Sequence, residues 1–98
     1  MYDLFIHLDF EKQYTKLDHS LQIEIDRSME QIRNNPHVGK PLGLRFIREK
    51  KVRFLRIYFI IDEQQKRVLI AEISGKKDQQ RVIDKIKKNF EQYKQKMA

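Results

Sequence analysis

Residues 52–61, Val-Arg-Phe-Leu-Arg-Ile-Tyr-Phe-Ile-Ile, form the stretch of the sequence that decides the expected fold. β-branched and aromatic residues are enriched in strands. The second half of this stretch, Ile-Tyr-Phe-Ile-Ile, is apolar at both odd and even positions. Such a pattern is typical of a strand at the centre of a sheet that is covered on both faces. We therefore predict a central strand over residues 52–61.

Further strand patterns lie on both sides of this central strand. Residues 43–49 contain Leu44, Phe46 and Ile47, and residues 67–73 read Arg-Val-Leu-Ile-Ala-Glu-Ile. The polar link at residues 62–65 has the length of a hairpin connection. Leu4, Ile6 and Leu8 recur at every second position near the start of the chain, on one side of an extended segment, which predicts an N-terminal strand.

Two short helices are expected between the first strand and the other three. Asp9 is a good N-cap for one helix, and Asp18 is a good N-cap for the next. Their apolar residues recur at helical spacing: Phe10, Tyr14 and Leu17, then Leu21, Ile25, Met29 and Ile32. Pro36 ends the second helix because the residue before a proline avoids the helical conformation.

A last helix is expected from about Asp78 to the end of the chain. Its apolar stripe consists of Val82, Ile86, Phe90, Tyr93 and Met97. We expect Val82 and Ile86 to pack on the sheet and the end beyond Phe90 to be looser. The predicted order is thus β-α-α-β-β-β-α, an α+β fold in which a small antiparallel sheet packs against an N-terminal helical hairpin and a C-terminal helix.

The composition favours one small cytoplasmic domain over residues 1–98 that contacts a polyanion. The chain has no cysteine, no apolar run of membrane-spanning length and no signal-peptide pattern. Its net charge is +7, and residues 40–58 alone carry seven basic residues against one acidic residue. A local basic field of this kind attracts nucleic acid, and it would also attract an acidic protein.

No motif in the sequence has the strength of a metal or nucleotide site. His7, His19 and His37 are far apart and lack a second ligand at suitable spacing, so we expect neither a metal nor a cofactor. The chain also lacks a glycine-rich phosphate loop. His37, in the loop before the basic segment, is one candidate for an acid or base.

The two arginines of the predicted central strand raise a question of geometry. In a regular strand Arg53 and Arg56 lie on opposite faces, so only a β-bulge between them would bring both to one site. They could bind phosphate. Alternatively, one could cap the end of the strand while the other pairs with a helix carboxylate. The pattern alone leaves these alternatives open.

Two stretches make the chain similar to a known family. Residues 56–62 (Arg-Ile-Tyr-Phe-Ile-Ile-Asp) and 69–80 (Leu-Ile-Ala-Glu-Ile-Ser-Gly-Lys-Lys-Asp-Gln-Gln), with the loop at 38–42, resemble the RelE/ParE toxin superfamily over nearly the whole chain. The Lys-Lys-x-Gln turn that follows the last strand resembles the HigB-like, phage-related branch of that superfamily.

The resemblance implies the toxin of a toxin–antitoxin pair. Many members cut mRNA on the ribosome without a metal, because the 2′-hydroxyl of the RNA attacks the adjacent phosphorus. The ParE branch instead inhibits DNA gyrase, and a degenerate relative would only bind RNA or an antitoxin. The implied partners are an acidic antitoxin, the ribosome and mRNA. A homodimer and a toxin–antitoxin hetero-oligomer both stay open.

The resemblance also implies site residues, although three positions depart from the family pattern. Leu55 stands at the position of a family arginine, Lys77 replaces another arginine, and Ile83 replaces an aromatic acid or base. Glu49 is the foremost candidate for proton transfer, followed by Tyr58 and His37. The candidate catalytic residues are Glu49, Arg53, Arg56 and Lys77, and the candidate RNA-binding residues are Lys40, Arg45, Arg48, Lys50, Lys51 and Lys76.

Overall fold

A five-stranded sheet with helices on both faces makes up the structure. The computed structural model describes residues 1–97. In chain order the elements are β1 (Asp3–Ile6), α1 (Leu8–Tyr14), α2 (His19–Asn34), β2 (Lys40–Pro41), β3 (Ile47–Val52), β4 (Leu55–Asp62), β5 (Arg67–Gly75), α3 (Gln79–Lys88) and α4 (Phe90–Gln95). Short 3₁₀ turns at Pro36–Val38 and Lys76–Asp78 precede β2 and α3. No helix within residues 1–97 is long and apolar enough to cross a membrane.

The sheet has the strand order β1-β5-β4-β3-β2, so β4 is its central strand. Neighbouring strands are antiparallel except that β1 runs parallel to β5. Because side chains alternate along a strand, β4 sends Ile57 and Phe59 into one core and Tyr58 and Ile60 into another. The α+β fold and the doubly covered central strand are thus confirmed, whereas the parallel edge strand was not predicted.

The two cores contain different helices. Buried residues of α1 and α2 pack in the first core, namely Phe10, Leu21, Ile25 and Ile32. The second core holds buried residues of α3 and α4 and one residue just beyond α4, namely Val82, Ile83, Ile86, Tyr93 and Met97. The sheet therefore separates an α1–α2 face from an α3–α4 face, and each basic side chain of a strand belongs to one of them.

Two predicted strand boundaries are wrong. The predicted strand at 52–61 is split, because Val52 ends β3 and pairs with Leu55 at the start of β4. Only Arg53 and Phe54 remain in the turn between them, and Arg53 has a positive φ of 55°. The strand predicted at 43–49 also begins later, at Ile47, because the preceding residues form a loop behind the two-residue strand β2.

The helix starts agree with the prediction at one position and differ at the other. Asp18 caps α2, since its carboxylate accepts a hydrogen bond from the backbone N–H of Leu21 at 2.9 Å. Asp9 does not cap α1. Instead, Nδ1 of His7 accepts from the backbone N–H of Asp9 at 3.1 Å, and the Asp9 carboxylate binds Lys85.

The C-terminal segment is two helices rather than one, with the break at Asn89. Val82 and Ile86 are buried in the core, as predicted. The expectation that the end beyond Phe90 is looser is wrong, because Tyr93 and Met97 are also buried. The side chain of Asn89 donates to the backbone carbonyl of Lys85 and covers the end of α3.

Candidate functional site

Three side chains from different elements meet on the α3–α4 face of the sheet. Nε2 of Gln79, at the start of α3, donates to both carboxylate oxygens of Glu49 on β3, at 2.9 and 3.0 Å. Nε of Arg56 on β4 lies 3.6 Å from Oε2 of the same carboxylate. We call Glu49, Arg56 and Gln79 the carboxylate cluster.

Strand register explains why these residues meet. Residues directly opposite each other in an antiparallel pair share one face of the sheet. Glu49 lies opposite Tyr58, and Arg56 lies between Lys51 and Ser74, so all five side chains belong to the α3–α4 face. The register shift between β4 and β5 falls after Tyr58, and Arg56 therefore needs no bulge to reach this face.

The carboxylate cluster is partly enclosed and lies at the β3–β4 hairpin end of the sheet. Side-chain exposure is 8% for Glu49 and 12% for Arg56, so a narrow approach remains. A carboxylate offers about four lone-pair positions, and the two hydrogen bonds from Gln79 occupy only part of them. The cluster can therefore accept a further hydrogen bond while a cation lies beside it.

Exposed lysines surround this end of the sheet. Lys51 lies across from Arg56, while Lys76 and Lys77 follow the last residue of β5. All three are exposed, and within residues 1–97 none of them is in an ion pair. The arrangement supplies positive charge to a polyanion beside a carboxylate that can exchange a proton.

Tyr58 is fully buried, unlike Lys51 and Arg56 on the same face. Its hydroxyl shares a hydrogen bond of 2.8 Å with Oγ of Ser74. Burial is the main reason that the pKa of the Tyr58 phenol is raised above its ordinary value. Tyr58 therefore belongs to the second core beside Glu49, and its hydroxyl is not at the surface, where it could exchange a proton.

Arg53 is not part of the carboxylate cluster, although it was a candidate catalytic residue. It lies in the β3–β4 turn, where its guanidinium pairs with the carboxylate of Glu24 on α2. Of the alternatives that the sequence left open, pairing with a helix carboxylate holds for Arg53. Arg56 instead faces Glu49, so the two arginines serve different faces of the sheet.

The remaining basic candidates do not form one surface. Lys40 lies opposite Glu49 and shares its face. Lys50 lies opposite Ile57, on the α1–α2 face. Arg48 is engaged within the fold, because it donates to the backbone carbonyls of Arg45 at 2.7 Å and Gly39 at 2.8 Å. The alternation of side chains in β3 therefore divides the basic run between the two faces.

Arg45 lies at the opposite end of the sheet from the carboxylate cluster. It borders a hollow together with Ile61 and Asp62, at the far end of β4. Arg56 and Asp62 are six residues apart, which corresponds to about 20 Å along a strand. A single bound phosphate cannot contact both arginines.

His37 belongs to a separate hydrogen-bonded group. Its Nε2 lies 2.6 Å from Oε1 of Glu63, whose other oxygen accepts from the hydroxyl of Tyr2 at 2.9 Å. Burial raises the pKa of Glu63, but the hydrogen bonds from Tyr2 and His37 outweigh it and hold that pKa below its usual value. The group ties the loop before β2 to the β4–β5 turn, away from Glu49.

A second charged group holds α1 and α3 to the sheet. Nζ of Lys85 donates to Asp9 and to the buried Glu72, in both cases at 3.2 Å. Gln13 binds both the Glu72 carboxylate and the backbone N–H of Ile73. Because Lys85 satisfies a buried carboxylate that would otherwise be uncompensated, we assign this group to folding.

Sequence reasoning missed the part played by Gln79. The signal was present in the Lys-Lys-x-Gln turn, but nothing local shows that this amide reaches a glutamate thirty residues earlier.

Ile83 occupies the position at which the resemblance expected an aromatic acid or base, and it is buried in the second core. Among residues 1–97, no three histidine or carboxylate residues are grouped so that they could hold a metal ion.

Several solved structures have the same fold. The isolated RelE toxin of E. coli superposes with a TM-score of 0.68 at 14% identity, over 88% of this chain and 99% of that one. The RelBE2 toxin–antitoxin complex of Mycobacterium tuberculosis matches with a TM-score of 0.67 at 19% identity, over 76% and 98%. A YoeB/ParE toxin from Agrobacterium tumefaciens gives 0.63 at 13% identity, over 74% and 96%.

These similarities show a RelE-like fold and confirm the predicted fold. The sequence itself matches no protein-family model and no curated protein. The HigB-like branch stays a prediction, since the superposed structures are named as RelE, RelBE2 and YoeB/ParE proteins.

Proposed function

We propose that this RelE-like domain is the toxin of a toxin–antitoxin pair and cleaves mRNA on the ribosome. The observation that carries the proposal is the carboxylate cluster, in which Glu49 lies beside Arg56 at the end of the sheet where Lys51, Lys76 and Lys77 are exposed. Cleavage by the 2′-hydroxyl of the RNA needs a proton acceptor and positive charge near the phosphate, and this cluster offers both.

The first step assigns a proton acceptor. Glu49 takes the proton of the attacking 2′-hydroxyl, and the 2′-oxygen forms a bond to the adjacent phosphorus. The two hydrogen bonds from Gln79 fix the carboxylate in one orientation, so little reorganisation is needed when the hydroxyl approaches. The products are a 2′,3′-cyclic phosphate and a 5′-hydroxyl.

The second step concerns the charge that develops on the phosphate. Arg56 is fixed beside Glu49 and donates to the phosphate oxygens as negative charge accumulates on them. Lys77 stabilises the departing 5′-oxygen, which takes its proton from this ammonium or from water. Lys40, Lys51 and Lys76 bind neighbouring phosphates and contribute mainly through counterion release.

An acidic antitoxin is the partner that we propose for the same surface. The RelBE2 structure that shares this fold is described as a toxin–antitoxin complex. An exposed cationic surface also attracts any polyanion in a cell, and a segment of opposite charge would cover it. Affinity purification from the native host should recover a small acidic protein. Recovery of ribosomes alone would argue against the antitoxin.

Ile83 favours an alternative function without cleavage. This residue fills the core where the resemblance places an aromatic acid or base, so α3 supplies no such proton-transfer group at this position. A ParE-like gyrase inhibitor or a binder of RNA or antitoxin would need none. Growth arrest without new RNA ends would favour this alternative.

The test of the proposed function is induction of the protein in a bacterial host, followed by primer extension on cellular mRNAs. The wild type should arrest growth and produce new mRNA ends. Glu49→Gln keeps the shape of the side chain but removes the proton acceptor, so it should lower the cleavage rate by roughly 10²-fold or more. Gel-shift binding of mRNA fragments should change little.

Glu91→Gln is the matched control for this experiment, because Glu91 is exposed on α4 and lies outside the carboxylate cluster. It should arrest growth and cut mRNA like the wild type. Equal cleavage by Glu49→Gln and the wild type would remove Glu49 from the mechanism. Thermal unfolding of both variants would show whether any loss comes from misfolding.

A further inference from the structure

Phe54 is the only phenylalanine of this chain whose side chain is exposed. Its side chain is 63% exposed, whereas Phe10 and Phe59 are buried in the first core. Phe5, Phe46 and Phe90 pack against the second core. Packing within the fold therefore explains five of the six phenylalanines, and Phe54 requires another explanation.

The ring stands on a short and well-anchored turn. Val52 and Leu55 pair across the hairpin, so Phe54 shares the turn with Arg53 alone. The side chain of Arg53 is in turn tied to Glu24 on α2. A ring at this position is presented by a rigid element, which lowers the entropy lost when a ligand packs on it.

The turn lies next to the cationic end of the sheet. Leu55 pairs with Gly75, and the backbone carbonyl oxygen of Phe54 would lie 4.0 Å from a Cβ atom placed on Gly75. Lys76 and Lys77 follow Gly75 directly. Phe54 precedes Arg56 by two residues, so their Cα atoms are at most about 7 Å apart.

Three carboxylates that adjoin the turn or the cationic residues are engaged by other groups. Glu49 is held by Gln79, Glu24 pairs with Arg53, and Asp78 lies 3.8 Å from Nε of Arg81. A ligand at this turn would therefore contact the exposed aromatic face of Phe54, next to lysines that are not in ion pairs.

We propose that Phe54 is a stacking platform for one base of a single-stranded RNA whose phosphate lies at Arg56. The inference rests on the proposed function and adds a positioning residue to it. Proteins bind single strands by combining a cationic track with aromatic rings on which bases stack. Because the Cα atoms of Phe54 and Arg56 are at most about 7 Å apart, the ring is within reach of the nucleotide next to a phosphate bound at Arg56.

The charge of the surroundings favours RNA over an apolar protein partner. Within residues 1–97, the other large exposed apolar side chains lie outside the β3–β4 turn, namely Met1, Ile6, Leu8, Ile23, Val38 and Leu44. A protein that anchors an apolar side chain here would have to desolvate the neighbouring lysines. A nucleotide brings its own negative charge to them.

The chain contains no tryptophan, so Phe54→Trp creates a single fluorescent reporter at the proposed platform. The probe is a short 2′-O-methyl oligoribonucleotide, which has no attacking hydroxyl and stays intact. Its binding should quench the tryptophan, because bases stack on the ring. An abasic oligonucleotide of the same length and charge should bind without quenching.

Leu44→Trp is the matched reporter, because Leu44 is also exposed but lies in the loop before β3. It should not be quenched by either oligonucleotide. Binding of the 2′-O-methyl probe without quenching at position 54, measured by anisotropy of a labelled strand, would overturn the proposal. Equal quenching by the abasic strand would also overturn it.

Substitutions of the ring provide a second readout. Phe54→Leu keeps an apolar side chain but removes the aromatic face, so RNA affinity should fall by roughly 5- to 150-fold. Phe54→Tyr should restore it. Equal RNA affinity of Phe54→Leu and the wild type would overturn the proposal and indicate an apolar anchor for a protein.

The stacking platform and the nuclease can fail separately. A protein whose reporter is quenched but which produces no RNA ends would keep the platform and refute cleavage. A protein that cuts mRNA without quenching would keep the nuclease and refute the platform. If no oligonucleotide binds at low salt, the platform falls, whereas cleavage on the ribosome is judged by the new RNA ends alone.

Discussion

At the scale of single residues, Arg53 and Arg56 show how one hairpin gives two identical side chains different surroundings. Arg53 lies in the turn and pairs with Glu24, whereas Arg56 is mostly buried beside Glu49. The sequence places both within four residues, and only the position of the turn separates them. We expect the two arginines to differ in their contribution to catalysis.

Arg56→Ala should lower the rate of mRNA cleavage by roughly 10²-fold, because it removes a fixed charge from the phosphate. Arg53→Ala should leave that rate unchanged and reduce the free energy of unfolding by at most about 1 kcal/mol, since its ion pair is exposed. Cleavage assays on programmed ribosomes and urea unfolding measure the two effects. A larger rate loss in Arg53→Ala would show that the arginine roles are reversed.

The tyrosines give a prediction for alkaline pH. The pKa values of Tyr2, Tyr58 and Tyr93 are raised above the ordinary value of 10.0, chiefly by burial, and that of Tyr14 is raised by its hydrogen bond to Asp26. Because these tyrosine pKa values are higher in the folded protein, the unfolded chain loses the phenolic protons at a lower pH than the folded protein does. The resulting stability is complete below about pH 10 and is lost as pH rises through the folded-state values.

Ultraviolet absorbance of tyrosinate measures this directly. In the folded protein, ionisation should occur at higher pH than in the same chain unfolded in urea, and it should accompany unfolding. Tyr58→Phe serves as the control for the most enclosed phenol. A tyrosine that ionises below pH 10 while the fold is intact would contradict the described burial.

At the scale of elements, α2 illustrates what a periodic sequence can predict. Its apolar stripe placed Leu21, Ile25 and Ile32 on one face, and all three are buried. Ile23 lies between two of these positions but faces outward with 39% of its surface exposed. The period of 3.6 residues alone therefore separates two isoleucines that are two positions apart.

Ile25→Ala should lower the free energy of unfolding by about 3 kcal/mol, because it leaves a cavity in the first core. Ile23→Ala should change it by less than about 1 kcal/mol. Denaturant unfolding with both variants gives the comparison. Equal losses would mean that α2 does not pack on the sheet through the face described.

The hairpin and the C-terminal segment mark where prediction from local pattern stops. The sequence pattern at residues 52–55 predicts one continuous strand, because it contains no glycine, asparagine or proline that would indicate a turn. The looser end expected beyond Phe90 was wrong because burial of Tyr93 depends on a sheet formed from distant residues. Boundaries set by tertiary packing leave little local signal.

At the scale of the whole molecule, the sheet divides the basic residues that the sequence groups together. Glu49, Arg56 and Lys77 were predictable as candidates from the resemblance. The hydrogen bond between Gln79 and Glu49 could not be predicted from the sequence, because it depends on how β3 and the start of α3 approach each other in space. Internal contacts remove Arg48 and Arg53 from the surface around Glu49, and Arg45 is removed because it lies at the opposite end of the sheet.

Cleavage at the carboxylate cluster by the 2′-hydroxyl of the RNA can be tested from the end chemistry of a defined mRNA incubated with programmed bacterial ribosomes and the purified protein. We expect new fragments with 5′-hydroxyl and 2′,3′-cyclic phosphate ends. The 5′-hydroxyl ends are recognised because a polynucleotide kinase labels them directly, whereas it cannot label a 5′-phosphate end. Fragments with 5′-phosphate ends, or an intact mRNA under conditions in which the protein arrests growth, would contradict this mechanism.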